Sequence, residues 1–242
     1  MKICIAVITN KPKLSDLFLS HLLFSDEILI GMDGKILPSK GSSDKKIKYF
    51  KLEPGLNFSE KRNKLLSIST SEWVFFVDDD EIVSKNLALE ITRLPNNKSI
   101  SGYFLRRIDV CFYQEIKHGE VASQYLLRLA KKSSGQFSRS VHETWEIKGR
   151  VSYLNNPLYH QKDDFITQFL PKIISYGVLD VASLREEKKT FSWLRLITLP
   201  PLKFFQNYFF KLGFLDGYAG LFLNYLMSVQ SLSVRVLQWE KK

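Results

Sequence analysis

Ile3–Thr9 is an unbroken run of apolar and β-branched residues, the pattern of a strand buried on both faces. Leu14–Leu23 then recurs with helical spacing, and Glu27–Met32 (EILIGM) is a second strand halted by the turn signal Asp33-Gly34. The same reading predicts a strand over Ile47–Leu52, a helix over Phe58–Ile68 with Ser59 near its start, and a strand over Trp73–Val77. Ser84 is placed to cap a helix reaching Leu94. Strands alternating with helices over short loops predict an open parallel α/β sheet. In such sheets ligands bind outside the carboxyl ends of the strands. Asp33 and the run Asp78-Asp79-Asp80-Glu81 both fall at such ends.

After residue 100 the pattern changes. GYFLRRIDVCFY, QYLLRLAKK and VSYLNNPLYH read as longer strands with little helix, which turns the expected sheet into a mixed one. From about residue 165 the spacing is helical. Pro200 and Pro201 are predicted to open a helix carrying Phe204, Phe205, Tyr208 and Phe209, ended by Gly213, with a further long helix beyond. The expected fold is therefore α/β, a Rossmann-like mixed sheet flanked by helices, with a C-terminal helical extension.

Composition narrows this picture modestly. The 242 residues are 45% hydrophobic and 25% charged, which suits a globular chain and argues against disorder. A net charge of +10 favours an anionic partner, although it also serves solubility alone. Two isolated cysteines, Cys4 and Cys111, provide neither a disulfide framework nor a zinc site, and fit a reduced, cytoplasmic setting. The first apolar run is too short for a secretory leader, and no run reaches the roughly 18–20 residues of a membrane span.

The acidic run is the unusual feature. Four adjacent carboxylates at the end of a buried strand repel one another and resist desolvation, so a cation is expected to hold them. If the strand continues, Asp78 and Asp80 point the same way, with Asp79 and Glu81 turned elsewhere. Two carboxylates on one side make a hard oxygen site suited to Mg²⁺ or Mn²⁺ completed by water and phosphate. A solvated acidic turn is the plain alternative.

KRNKLLSISTSEWVFFVDDDE resembles the Arg-Asn … Trp-(apolar)-Asp-x-Asp-Glu segment of family 2 glycosyltransferases, which have the GT-A fold. MKICIAVITNK and DEILIGMDG resemble the opening strands of that family. QYLLRLAKKSSGQFSRSVHETWEIKGRVSYLNNPLYH and FFQNYFFKLGFLDGYAGL are similar to segments of its bacterial lipopolysaccharide-core β-glucosyltransferase subgroup. After the second strand the chain departs from the common hydroxyl-rich turn and reads MDGKILPSKGSSDKK.

The resemblance implies a nucleotide-sugar donor, with a UDP-hexose expected, and a glycan or glycolipid acceptor such as lipopolysaccharide core. It implies that Thr9, Asp33, Arg62 and Asp78 bind the nucleotide, with Asp33 accepting from a uracil N–H. Asp80, with Asp78, would hold a Mg or Mn cation, and Glu143 would be the general base of an inverting transfer. Arg128, His142 and His160 are implied contacts to phosphate or acceptor. Residues 1–160 become the catalytic domain, 1–100 binding the nucleotide and 101–160 forming the acceptor side, with 161–242 as the extension.

Two other classes stay open. One is a phosphatase or phosphotransferase using Asp78 as nucleophile and Asp80 as acid/base. The other is a non-catalytic basic module on a membrane; nucleic-acid binding is not expected, for lack of a recognition motif. The aromatic helix after Pro200 reads either as a core layer or as a surface for the cytoplasmic face of the inner membrane, and peripheral contact is the expectation. Burial in an oligomer is the third use of such a helix.

Overall fold

The structure, a computed structural model, describes residues 1–34, 44–95, 97–120, 124–139, 143–162 and 165–240. Four parallel strands form the centre: β1 (Ile3–Thr9), β2 (Glu27–Met32), β3 (Ile47–Lys51) and β4 (Trp73–Phe76), in the order β3-β2-β1-β4. The helices α1 (Asp16–Ser20), α2 (Phe58–Ile68) and, after the short strand β5 (Glu81–Val83), α3 (Lys85–Thr92) complete the α/β part. The remaining strands are β6 (Ile100–Cys111), β7 (Gln114–Glu115), β8 (Gln124–Lys131), β9 (Gly135–Ser138), β10 (Thr144–Ile147), β11 (Arg150–Tyr153) and β12 (Leu158–Lys162). β8 joins β4 antiparallel and the sheet continues β8-β6-β12-β5, so it is mixed as expected.

Strand periodicity explains the core. Ile3, Ile5 and Val7 of β1 point to one face and cluster with Phe18, Leu22, Leu87 and Ile91 from α1, α3 and the turn after α1. Cys4 and Ala6 point to the other and meet Leu65 and Leu66 of α2 with Phe137 and Trp145 of the β9–β10 hairpin. Both faces are covered, which is why β1, β2 and β4 read as continuous apolar runs.

The chain forms two compact units, residues 1–107 with 125–160, and residues 108–124 with 161–242. Residues 108–124 group with the C-terminal helices in the second unit. The reason is apolar: Cys111 and Ile116 are buried with Phe165, Ala219 and Leu223. That unit contains α4 (Phe165–Glu186), α5 (Trp193–Phe205) and α6 (Gly217–Glu240).

Two helix readings change. α5 starts at Trp193 and carries Pro200 and Pro201 inside it, followed by a π-helical turn over Gln206–Phe210. Pro200 is buried and its carbonyl accepts the Ser228 hydroxyl of α6 at 2.7 Å, so tertiary contacts tolerate the lost N–H donors. Gly213 does not terminate that helix. It lies beyond the turn, where a Cβ would fall 2.3 Å from Asn224 Nδ2, so close approach requires the glycine.

Candidate active site

β4 stops at Phe76, before the carboxylates, and the buried Val77 is the last apolar residue ahead of them, its N–H donating to the Ala6 carbonyl at 3.1 Å. The chain then turns, the Glu81 N–H donating to the Asp78 carbonyl at 3.0 Å. Side-chain direction across the acidic run is thus set by a turn and not by strand alternation. Asp78 and Glu81 share Arg128, whereas Asp79 and Asp80 meet Lys11 and His160.

Asp78 meets two arginines. Its Oδ2 accepts from Arg128 Nη2 at 2.6 Å, and its Oδ1 from Arg128 Nη1 at 3.3 Å and Arg62 Nη2 at 3.2 Å. Arg62 also reaches Glu143 at 3.2 Å and lies over the rings of Phe76 and Phe137, 5.7 and 5.3 Å from their centroids. Glu81, with no exposed side-chain surface, accepts from the Asp78 N–H at 2.9 Å and from Arg128 at 3.2 Å, with Arg107 at 4.0 Å. Burial opposes ionisation of Asp78, yet Arg128 and Arg62 outweigh it and hold that carboxyl well below its usual range. For Glu81 burial prevails and pushes its pKa up. Burial also lowers Arg62, aided by its neighbour Arg128, whereas Asp78 and Glu81 raise Arg128 against its burial.

α2 delivers Arg62 through its register. Asn57 and Glu60 form a capping box, the Glu60 N–H donating to Asn57 Oδ1 at 3.0 Å and the Asn57 N–H to Glu60 Oε2 at 2.8 Å. Asn63, next to Arg62, imitates a strand edge: its Nδ2 donates to the Phe137 carbonyl and its Oδ1 accepts the Phe137 N–H, both at 2.8 Å. The Arg-Asn pair therefore sends one side chain into the site and uses the other to fasten β9.

At the neighbouring strand ends, the Asp33 N–H donates to the Thr9 carbonyl at 2.7 Å, bringing together two residues expected to bind the nucleoside. The Asp33 carboxylate accepts from Lys61 Nζ at 2.6 Å, and Lys61 also lies over the Phe58 ring. The Thr9 hydroxyl donates to Asp79 and accepts the Lys11 N–H at 3.0 Å, while Lys11 Nζ pairs with Asp79 at 3.1 Å. Asp80, its side chain 49% exposed, has His160 Nε2 at 3.1 Å, because β12 lies antiparallel to β5 with His160 opposite Glu81. Hydrogen bonding and charge from His160 lower the Asp80 pKa against burial, which acts to raise it.

Among the described residues no three of His, Cys, Asp and Glu form a ready-made metal cluster. Asp80 and His160 nevertheless place an oxygen and a nitrogen donor at one accessible point, a set that fits a divalent cation finishing its shell with phosphate and water. Asp78 is the poorer donor, since both its oxygens already accept from guanidinium groups.

The structure thus brings Arg62, Asp78, Arg128 and Glu143 into one ion-paired network, Asp80 against His160, and Thr9 beside Asp33. His142 lies outside the described residues. Sequence reasoning passed over Lys11, Lys61 and Arg107, and gave Asp79 no role of its own. A lysine beside Arg62 is ordinarily solvated, so nothing in the sequence singled out Lys61; the buried Glu81 had a signal in its place directly after the three aspartates.

Fold and site together define an α/β protein with a charged centre at the carboxyl ends of parallel strands. The profile of glycosyl transferase family 2 matches residues 27–155, more than half of the chain. The chain belongs to that family. An uncharacterized glycosyltransferase of Rickettsia felis is 22% identical over 182 residues, covering 70% of this chain and 64% of the relative. One from Rickettsia conorii is 23% identical over 182 residues with the same coverages. The match therefore spans somewhat less than two thirds of those relatives' length. Among solved structures, S. aureus TarS 1–349 in complex with UDP-GlcNAc aligns with a TM-score of 0.44 and 15% identity, over 68% of this chain and 59% of that one. The bifunctional IspDF from Campylobacter jejuni aligns with a TM-score of 0.42 and 11% identity, over 64% and 50%.

Proposed function

We propose that the chain is an inverting glycosyltransferase that moves a hexose from a UDP-sugar to a bacterial surface glycan or glycolipid such as lipopolysaccharide core. The observation that carries this reading is the convergence of Arg62, Asp78, Arg128 and Glu143, far apart in sequence, on one network beside the Asp80–His160 pair. Membership of family 2 supports the transfer chemistry. The phosphatase reading needs Asp78 as a free nucleophile, and two guanidinium groups already engage its oxygens.

In the proposed reaction the nucleoside lies over Thr9 and Asp33, with its diphosphate directed toward Asp80. An acceptor hydroxyl oxygen attacks the anomeric carbon from the face opposite the leaving group. The new C–O bond forms as the bond to the diphosphate breaks, and the hydroxyl proton passes to the Glu143 carboxylate. Arg62 orients Glu143 and, with Arg128, holds Asp78 ionised at the edge of the site. Mg²⁺ or Mn²⁺ on Asp80 and His160, with Asp78 close by, would supply Lewis-acid neutralisation of the diphosphate.

Calorimetric titration of UDP, with and without Mn²⁺, into the wild type and Asp80→Ala tests the reading. Expected is binding in the micromolar range that requires metal and vanishes in the variant. Undetectable UDP binding by the folded wild type under both conditions would overturn the assignment to a UDP-sugar. Equal binding without metal would remove the role given to Asp80.

A further inference from the structure

α5 is inverted relative to an ordinary surface helix, whose outward side is polar. Its exposed side chains include Trp193, Leu194, Ile197, Leu202 and Phe205, each more than half exposed, and in the following turn Phe210 is 84% exposed. α6 continues the pattern. Phe222, Tyr225, Val229, Leu232, Val236 and Trp239, spaced alternately by three and four residues, are all exposed, while Ala219, Leu223, Asn224 and Val234 face inward. Ring contacts between Phe204 and Tyr225 (4.6 Å) and between Trp193 and Trp239 (6.5 Å) join the two stripes into one apolar surface within the C-terminal unit. Soluble monomers rarely expose a contiguous apolar patch above about 600 Å², and larger ones mark protein or membrane contacts.

Charge decides between those occupants. Between Trp193 and Trp239 the chain carries Arg195, Lys203, Lys211 and Arg235, and its one acidic residue there is Asp216. Asp216 is buried, accepting the N–H groups of Lys117 and His118 at 3.1 and 2.8 Å, and Lys203 is already paired with Glu120 at 2.6 Å, so the exposed cations of this stretch are Arg195 and Lys211. Arg195 lies within α5 and Lys211 directly after the turn that follows it, and both are exposed. A second copy would match this face with its own cations. The residues flanking the α6 stripe, Leu221, Leu226, Ser228 and Ser233, also lack the Glu/Lys pairs that fix helix–helix register. Tyrosine and tryptophan rings beside exposed basic groups suit the headgroup layer of an anionic bilayer. Among the described residues no helix is long and apolar enough to cross a membrane, so the contact is with the surface.

We propose that the outward face of α5 and α6, with the turn between them, docks onto an anionic lipid bilayer. This inference goes beyond the transferase reading and needs neither UDP nor metal. The test is flotation of the full chain with vesicles of phosphatidylcholine, alone or mixed with phosphatidylglycerol, at low and high salt. Expected is co-flotation with the anionic vesicles at low salt, weakened by salt. Ile197→Glu and Phe205→Glu should each abolish it while leaving UDP binding and circular dichroism unchanged. Lys211→Glu, which disturbs no apolar packing, should weaken it at least about fivefold, as one basic residue near such a surface contributes about 1 kcal/mol. Equal binding to neutral vesicles would overturn the electrostatic half of the proposal. Absence of flotation would overturn all of it, and a concentration-dependent dimer dissolved by Phe205→Glu in sedimentation would assign the face to a second copy instead.

Discussion

Arg128 stands between two carboxylates that differ in access to water: the Asp78 side chain is 38% exposed and that of Glu81 is not exposed at all. Removing this guanidinium leaves Glu81 buried without its main counter-charge. Arg128→Met should therefore cost about 3–5 kcal/mol of stability, the usual penalty for breaking a buried pair, read as a lower midpoint in urea unfolding. The two cysteines behave oppositely to reactive thiols. Burial pushes Cys4 up to about 12 and Cys111 to about 11. Neither should react with a thiol-disulfide reagent at mildly alkaline pH in the native protein, and both should react once urea unfolds it. Their residue type was legible in the sequence. Their inertness follows from burial between sheet and helices, which no local pattern reports.

At the scale of elements, Glu27 joins three pieces of chain. From the start of β2 it accepts from Lys48 Nζ of β3 at 2.9 Å and from the Thr70 N–H ahead of β4 at 2.9 Å. Burial acts to raise its pKa, but Lys48 and Thr70 outweigh it, and the folded value lies below the ordinary 4.5. A depressed carboxylate stabilises the fold above its unfolded pKa, and that contribution is lost as pH falls through the folded value. Glu27→Gln should therefore weaken the protein near neutral pH, and the gap from wild type should begin to narrow as pH falls below about 4.5 and close only below the lower folded value. Denaturant unfolding at several pH values measures it. The strands β1 and β2 and the helix α2 match the ranges read from periodicity, because each is a continuous run with both faces covered or a helix with its own cap. α5 defied the reading because packing on α6 tolerates two prolines that local propensity places at a helix start.

For the molecule as a whole, ligand binding and folding are linked. If UDP and Mn²⁺ bind as proposed, a hundredfold excess over Kd should add about 2.7 kcal/mol to stability and raise the melting midpoint. Asp80→Ala should erase the metal-dependent part of that rise and leave the unliganded midpoint nearly unchanged, since the Asp80 side chain is half exposed. Scanning fluorimetry with UDP, Mn²⁺ and both distinguishes these outcomes.

Sequence alone determined what local physics reports. Strand and helix period, the end of the apolar run at Val77 and the crowding of four carboxylates are properties of neighbouring residues. Tertiary structure decided the partners. Arg128 meets Asp78 across 50 positions of chain and Thr9 meets Asp79 across 70, contacts that exist only after β8 and β1 close around β4. It also decided which way faces point. Periodicity showed an aromatic face on the helices after residue 190, but whether that face covers a core or looks outward depends on which side α6 occupies. Residues 108–124 group with the C-terminal helices for the same reason: burial is a relation between distant segments, and the affinity of one for another is not written in either alone.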